Sequence, residues 1–188
     1  MSDNKNKKER KTSTLAALLE EKPKRGRPPR AVSRQTVYVA LTQAQKDLLS
    51  DLASLLPEGL NRADLPDLAI TILSARFEAL RRAVADRERE IPEGITDLES
   101  LYLLWDLSLP IDDGLETKWT SIRVSPQQVI ELGRVHGTLN AVFNANRSQT
   151  FSLALVLLTQ FLQNKSSYNL PTASNLSELR KMVRAIYL

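Results

Sequence analysis

Cysteine is absent from the 188 residues, which excludes disulfides, thiolate metal sites and thiol nucleophiles. Histidine occurs once, at His136, between Val135 and Gly137 in a stretch of helical spacing, where it reads as a structural side chain rather than a catalytic base. Glycine is scarce, six in all, and never grouped into a phosphate-binding loop. No metal-ligand cluster and no Ser/His/Asp constellation can be assembled, and the pair Asp112–Asp113 stands in a turn without a basic partner beside it. The expectation is a protein that is not an enzyme, with no catalytic residues, no metal and no cofactor. Long apolar runs are missing too. The longest, Phe151 to Leu162, is interrupted by Ser152, Thr159 and Gln160 and is too short to span a bilayer. Leu15 to Leu19 is far too short for a secretory apolar region. The expected location is cytoplasmic, away from membranes.

What is present is unevenly charged. The first thirty residues hold ten Lys or Arg against four Asp or Glu, net +6, while the remainder holds 16 against 18, net −2. A basic tail on a near-neutral body is the asymmetry of a polyanion-binding arm, or of a tail kept soluble by its charge. Residues 1–33, rich in Lys, Asn, Ser and Pro, are expected to be disordered. Thr12 to Glu21 has the spacing of a two-turn amphipathic helix, too short to persist alone.

Within the arm stands Pro23-Lys-Arg-Gly-Arg-Pro-Pro-Arg30, which resembles an AT-hook through the core Arg25-Gly26-Arg27-Pro28. The resemblance implies an extended Arg-Gly-Arg segment lying in a narrow minor groove. The chemistry agrees with it: Gly26 lets the backbone approach the groove floor, and Pro28 and Pro29 bias the exit toward an extended chain. Two guanidinium groups gain most in the narrow, strongly negative groove of A·T-rich duplex. A basic linker touching phosphates without preference is the alternative.

The body carries an internal repeat. Thr36 to Thr42 alternates apolar and other residues, placing Val37, Val39 and Leu41 on one face of a strand. A helix pattern follows from Gln43 to Leu56, with Leu48, Leu49, Leu52, Leu55 and Leu56 at helical spacing, stopped by Pro57-Glu58-Gly59. A second helix is expected to start near Asp64-Leu-Pro-Asp67, its carboxylates serving as caps, with Leu68, Ala69, Ile72, Leu73 and Leu80 inward. The order recurs after Glu116. Thr120, Ile122 and Val124 share a strand face, and a helix over Pro126 to Phe143 presents Leu132, Val135, Leu139 and Val142. Asn146-Arg-Ser-Gln149 matches Asn61-Arg-Ala-Asp64, and a helix apolar nearly all round follows over Thr150 to Leu162.

One strand and two helices cannot cover their own apolar face, whereas two copies can if their strands pair antiparallel above four helices. This pattern resembles the ribbon-helix-helix family in a fused, double-copy form of the TraY type. The implied fold is mainly α with a short two-stranded antiparallel ribbon, one chain standing for a family dimer. Units 34–86 and 117–164 would be the two copies, with 87–116 an acidic connector and 165–188 a C-terminal helix. The connector holds nine Asp or Glu against Arg87 and Arg89, a short helix over Thr96 to Leu107, and bracketing turns at Ile91 to Gly94 and Leu109 to Gly114.

The resemblance implies a prokaryotic, nucleoid-associated protein that binds double-stranded DNA with the ribbon in the major groove. Thr36, Tyr38 and Ala40 with Trp119, Ser121 and Arg123 would then point at the bases. Arg123 is the strongest reader, since its planar fork can donate to guanine O6 and N7 together. Arg34 and Lys118 would meet phosphates. Asn146, Arg147 and Ser148, opening the last helix of the second unit, would clamp the backbone, with Asn61 and Arg62 a weaker equivalent. The role is that of a transcriptional regulator or a plasmid or mobile-element accessory protein. An architectural protein with little sequence preference is the alternative, and an antitoxin-like adaptor holding a protein partner a third. Asn175-Leu-Ser-Glu178 opens a helix with Leu179, Met182, Val183 and Ile186 on one face, which packs back on the body or joins a second chain or a protein partner.

Overall fold

The computed structural model describes residues 33–85, 95–109, 116–164 and 175–188. The chain divides into two units, Met1–Ala31 and Val32–Leu188. The first lies wholly outside the described residues, and with it the Arg25–Pro28 motif and the expected helix at Thr12 to Glu21. The turn at Ile91 to Gly94 and most of that at Leu109 to Gly114 lie outside as well.

The second unit is mainly helical with one two-stranded antiparallel sheet. Strand β1 is Gln35–Leu41 and strand β2 is Lys118–Val124. They pair in full register, from Gln35 opposite Val124 to Leu41 opposite Lys118. Val37, Val39, Leu41, Ile122 and Val124 are buried, as period-two alternation requires, and Thr120 is half-buried.

Each strand turns into a helix across one residue. Thr42 caps α1 (Gln43–Ser54): its hydroxyl accepts from the Gln45 N–H at 3.2 Å, and the Gln45 side chain accepts from the Thr42 N–H at 3.0 Å. Ser125 precedes α4 (Pro126–Phe143), where proline occupies the first turn and loses no helical hydrogen bond. The intervening helices are α2 (Leu65–Ala85), introduced by a 3-10 turn at Arg62–Asp64, and the short α3 (Leu98–Leu104). Helices α5 (Arg147–Gln163) and α6 (Leu176–Tyr187) complete the described chain.

Helix α2 is the axis of the core. It is buried continuously from Leu65 to Ala75 and packs against α4, α5 and α6. Helix α5 lies beneath β1 with Phe151, Leu155, Leu158 and Phe161 buried. The expected inward faces hold except at two helix ends. Leu55, the residue that caps the end of α1, and Val142, in the last turn of α4, remain 47% and 60% exposed. Helix α5 begins three residues earlier than its apolar run, since Asn146 and Gln149 form a reciprocal cap there. Helix α6 returns to the body: Leu179 and Val183 are buried, and Met182 and Ile186 pack at the edge of the core.

The strand pairing joins residues 77 to 89 positions apart, from Leu41 with Lys118 to Gln35 with Val124, so neither half of the chain closes its own core. A fragment ending at Asp86 would expose Val37, Val39, Leu41 and the inner face of α2. It is expected to show no cooperative thermal transition as a monomer, checked by circular dichroism melting alongside sedimentation equilibrium.

Candidate nucleic-acid interface

A two-stranded sheet packed on one side leaves the other side open. The register places Thr36 opposite Arg123, Tyr38 opposite Ser121 and Ala40 opposite Trp119 on that open side. These are the six residues that alternation assigns to the outward face. Tyr38 is 62% and Trp119 75% exposed, unusual for aromatic side chains held on a rigid strand. Arg123 is exposed and makes no hydrogen bond or ion pair among the described residues. Lys118, the first residue of β2, pairs among the described residues with Glu116 alone, at 3.7 Å with both side chains exposed, which is worth little.

Arg34 behaves differently from its expected role at phosphates. Its side chain is 11% exposed and its guanidinium is committed inward. It donates to the Ala63 carbonyl and pairs with Asp64, and it stands 3.4 Å from the Asp67 carboxylate. Only Arg34 of the two strand-flanking cations is taken up this way, because acidic residues of α2 come to lie beneath the start of β1. Those carboxylates were expected to be simple caps. Asp64 is one, accepting from the Asn61 N–H at 3.0 Å. Asp67 does more. At 1% exposure, it accepts from the Ser125 N–H at 2.8 Å just past β2 and pairs with Arg180 of α6 at 3.1 Å. Burial pushes the Arg180 guanidinium below its ordinary pKa, with Asp67 opposing that shift.

The two helix starts near the ribbon therefore differ. At α2 the first turn is buried, Asp64 and Asp67 already compensate the helix dipole, and only Asn61 and Arg62 before it are exposed. At α5 no acidic residue occupies the first turn, and Asn146 and Arg147 are exposed. Arg147 makes no ion pair among the described residues. Ser148 is half-buried, its hydroxyl accepting from the Ala40 N–H at 2.8 Å, so it joins α5 to the free edge of β1. The hydroxyl hydrogen is left for a second partner.

Beneath the ribbon, α2 and α4 meet along a polar seam. Gln128 donates to Thr71 at 2.9 Å, Ser74 to Glu131 at 2.6 Å, and Arg134 to Glu78 at 3.4 Å. Hydrogen bonds from Arg81 chiefly hold the Glu78 carboxyl down to about 2, against burial and with help from Arg82 and Arg134. Burial raises the Glu131 carboxyl, but Ser74 and Arg134 together bring it below its ordinary value. These groups fix helix against helix and do not face the ribbon's open side. His136, in α4, is half-buried with Nδ1 at 3.4 Å from the Thr150 hydroxyl. Among the described residues no cluster of His, Cys, Asp or Glu could hold a metal ion, and no helix is long and apolar enough to cross a membrane.

The Asp67 cluster gives a direct test. Asp67→Asn leaves Arg34 and Arg180 without their shared counter-charge in a buried place, and is expected to cost about 3 kcal/mol or more. Glu116→Gln, which removes an exposed partner, should stay within about 0.5 kcal/mol. Urea unfolding of both variants checks the contrast. No protein-family model, no curated protein and no solved structure matches this chain, so the reading of its open face rests on the chemistry of that face alone.

Proposed function

We propose that this protein binds double-stranded DNA through two ribbon-helix-helix units fused in one chain, its ribbon in the major groove and its Arg-Gly-Arg arm in the minor groove. The observation that carries this reading is the ribbon's open face. It is a two-stranded surface with three hydroxyls, two exposed aromatic rings and, among the described residues, an uncommitted guanidinium. A β-ribbon fits a major groove about 12 Å wide, where side chains perpendicular to the sheet reach base edges. Arg147 at the start of α5 would meet the phosphate backbone, and Lys118 would do so at the start of β2. The basic arm adds sequence-independent attraction and an A·T preference.

The role that follows is regulatory, at a promoter or at a plasmid or mobile-element site. A specific observation favours a second reading, an architectural protein with little sequence preference: Arg123 is the one charged residue among six outward positions. Genome-wide occupancy separates the two, since discrete peaks fit a regulator and a broad A·T-following profile an architectural protein. The adaptor reading through the C-terminal helix is not favoured, because Leu179 and Val183 are already buried against the body.

Changing Arg25 and Arg27 to Ala is expected to weaken binding to A·T-rich duplexes far more than to G·C-rich ones. Equal losses on both would reduce the motif to an unspecific tail. Within the body, Arg123→Ala should cost about 1–3 kcal/mol on a preferred site and relax discrimination at one base pair. Arg147→Ala should instead weaken all duplexes alike and reduce the salt dependence by about one unit of slope. Titrations at several salt concentrations, on single-base variants of one duplex, distinguish these outcomes. Uniform loss for Arg123→Ala with altered base preference for Arg147→Ala would show that the ribbon is not the reader.

A further inference from the structure

An antiparallel ribbon has a local two-fold axis through its central pair, here Tyr38 and Ser121. That axis exchanges Val37 with Thr120, Val39 with Ile122 and Leu41 with Val124 on the inner face. These are residues of similar shape, as a shared core requires. On the outer face it exchanges Thr36 with Trp119, Tyr38 with Ser121 and Ala40 with Arg123. None of those pairs is alike in size or chemistry. The inner face is near-symmetric and the outer face is not.

The asymmetry sorts the outer residues by chemistry. At one end Thr36 stands across from Arg123, joining a hydroxyl to a planar fork of five N–H donors. That pair suits the two acceptors of a guanine edge. At the other end Ala40 stands across from Trp119, an apolar surface whose one polar group is the indole N–H. That pair suits a thymine methyl. The two ends are four residues apart along the strand, about 14 Å, which corresponds to roughly four base-pair steps.

We propose that the ribbon reads a polar, non-palindromic DNA site, with guanine beneath the Thr36–Arg123 end and thymine beneath the Ala40–Trp119 end about four base pairs away. This deepens the DNA-binding reading above and rests on it. A dimer of identical chains would present the same residues to both half-sites. This chain presents different ones, and its site has a direction.

The test uses the full chain and a pool of duplexes with a randomised 20-base-pair core, about twice the length of one ribbon footprint. Selected duplexes are sequenced and then probed by guanine N7 methylation interference. The expected motif lacks two-fold symmetry, and interference falls in one half of it. Arg123→Ala should abolish that interference and lower guanine preference about tenfold. Trp119→Ala should leave it in place while removing discrimination between thymine and uracil in the other half. Ala40→Arg combined with Trp119→Thr gives both ends the same chemistry, and should turn the selected motif palindromic with interference in both halves. If circular dichroism shows that this double variant does not fold, Arg123→Ala decides alone. A palindromic motif for the unaltered chain, or binding with no enriched sequence, overturns the proposal and leaves DNA binding standing. Failure to bind any duplex overturns the DNA-binding reading and this inference together.

Discussion

The buried carboxylate of Asp67 is the constraint on which the ribbon depends. It gathers Arg34, one residue before β1, Ser125, one residue after β2, and Arg180 of the C-terminal helix. Gln35 and Val124, the pair that closes this end of the ribbon, are thus flanked on both strands by groups bound to one side chain. A carboxylate taken out of water is tolerable only with such partners, because desolvation costs several kcal/mol. The same requirement makes the arrangement selective. A slip of one residue in either strand would separate Arg34 or Ser125 from Asp67. A slip of β2 would also exchange Ile122 with Arg123, driving a guanidinium into the core. Register and buried charge enforce each other, and register decides which side chains face outward.

The opposite end of the ribbon is held by neutral contacts. The Ser148 hydroxyl takes the Ala40 N–H at 2.8 Å, and Gln45 donates to Ser152 at 2.9 Å, tying β1 and α1 to α5. In the sequence match of Asn61–Asp64 with Asn146–Gln149, the residue aligned with Ser148 is Ala63, which has no hydroxyl to offer. Arg34 and the carboxylates of α2 take over the joining role at that end. Residues 35–85 and 118–163 each run strand, helix, helix, but the two ends of the ribbon are joined to the body by different chemistry. Helix α2 links these solutions to the rest of the body through Thr71, Ser74 and Glu78, whose partners on α4 are satisfied in turn. A connected polar seam of this kind specifies which helix faces which more sharply than apolar packing does.

Much of this was legible in the sequence, and the failures have a common cause. Period-two alternation separates Val37, Val39 and Ile122 from Thr36, Tyr38 and Arg123, because a strand has only two faces. The Asn175 cap and the apolar positions of α6 identify that helix from local spacing alone. Local sequence places Arg34 at phosphates and not in the core because its partners, Asp64 and Asp67, are some thirty positions away and look like ordinary helix caps. Arg180 is farther still, and no local pattern connects it to Asp67. Leu55 and Val142 share the inward spacing of their helices yet stay exposed, since periodicity describes a face and not how fully each position on it is covered. Tyr102, nearly fully buried in α3, carried no signal beyond being aromatic in a short helix.

Pairing β1 with β2 inside one chain changes more than convenience of assembly. In a ribbon made by two identical chains, each outward residue is present twice, and every substitution acts on both half-sites. The ribbon then forms only as far as the protomer concentration allows. Here closure is intramolecular, and the entropic cost of the intervening segment grows only slowly with its length. Formation of the ribbon is independent of concentration, and the two strands can differ. The inner face must still fit one core, which keeps Val39 and Ile122 or Leu41 and Val124 alike in shape. Among the described residues the outer face is little constrained by packing: five of its six side chains are exposed and Ala40 is half-buried. Thr36 and Trp119, or Ala40 and Arg123, can therefore differ without cost to the fold, and the open face is the one surface of the ribbon free to match a partner that has no symmetry of its own.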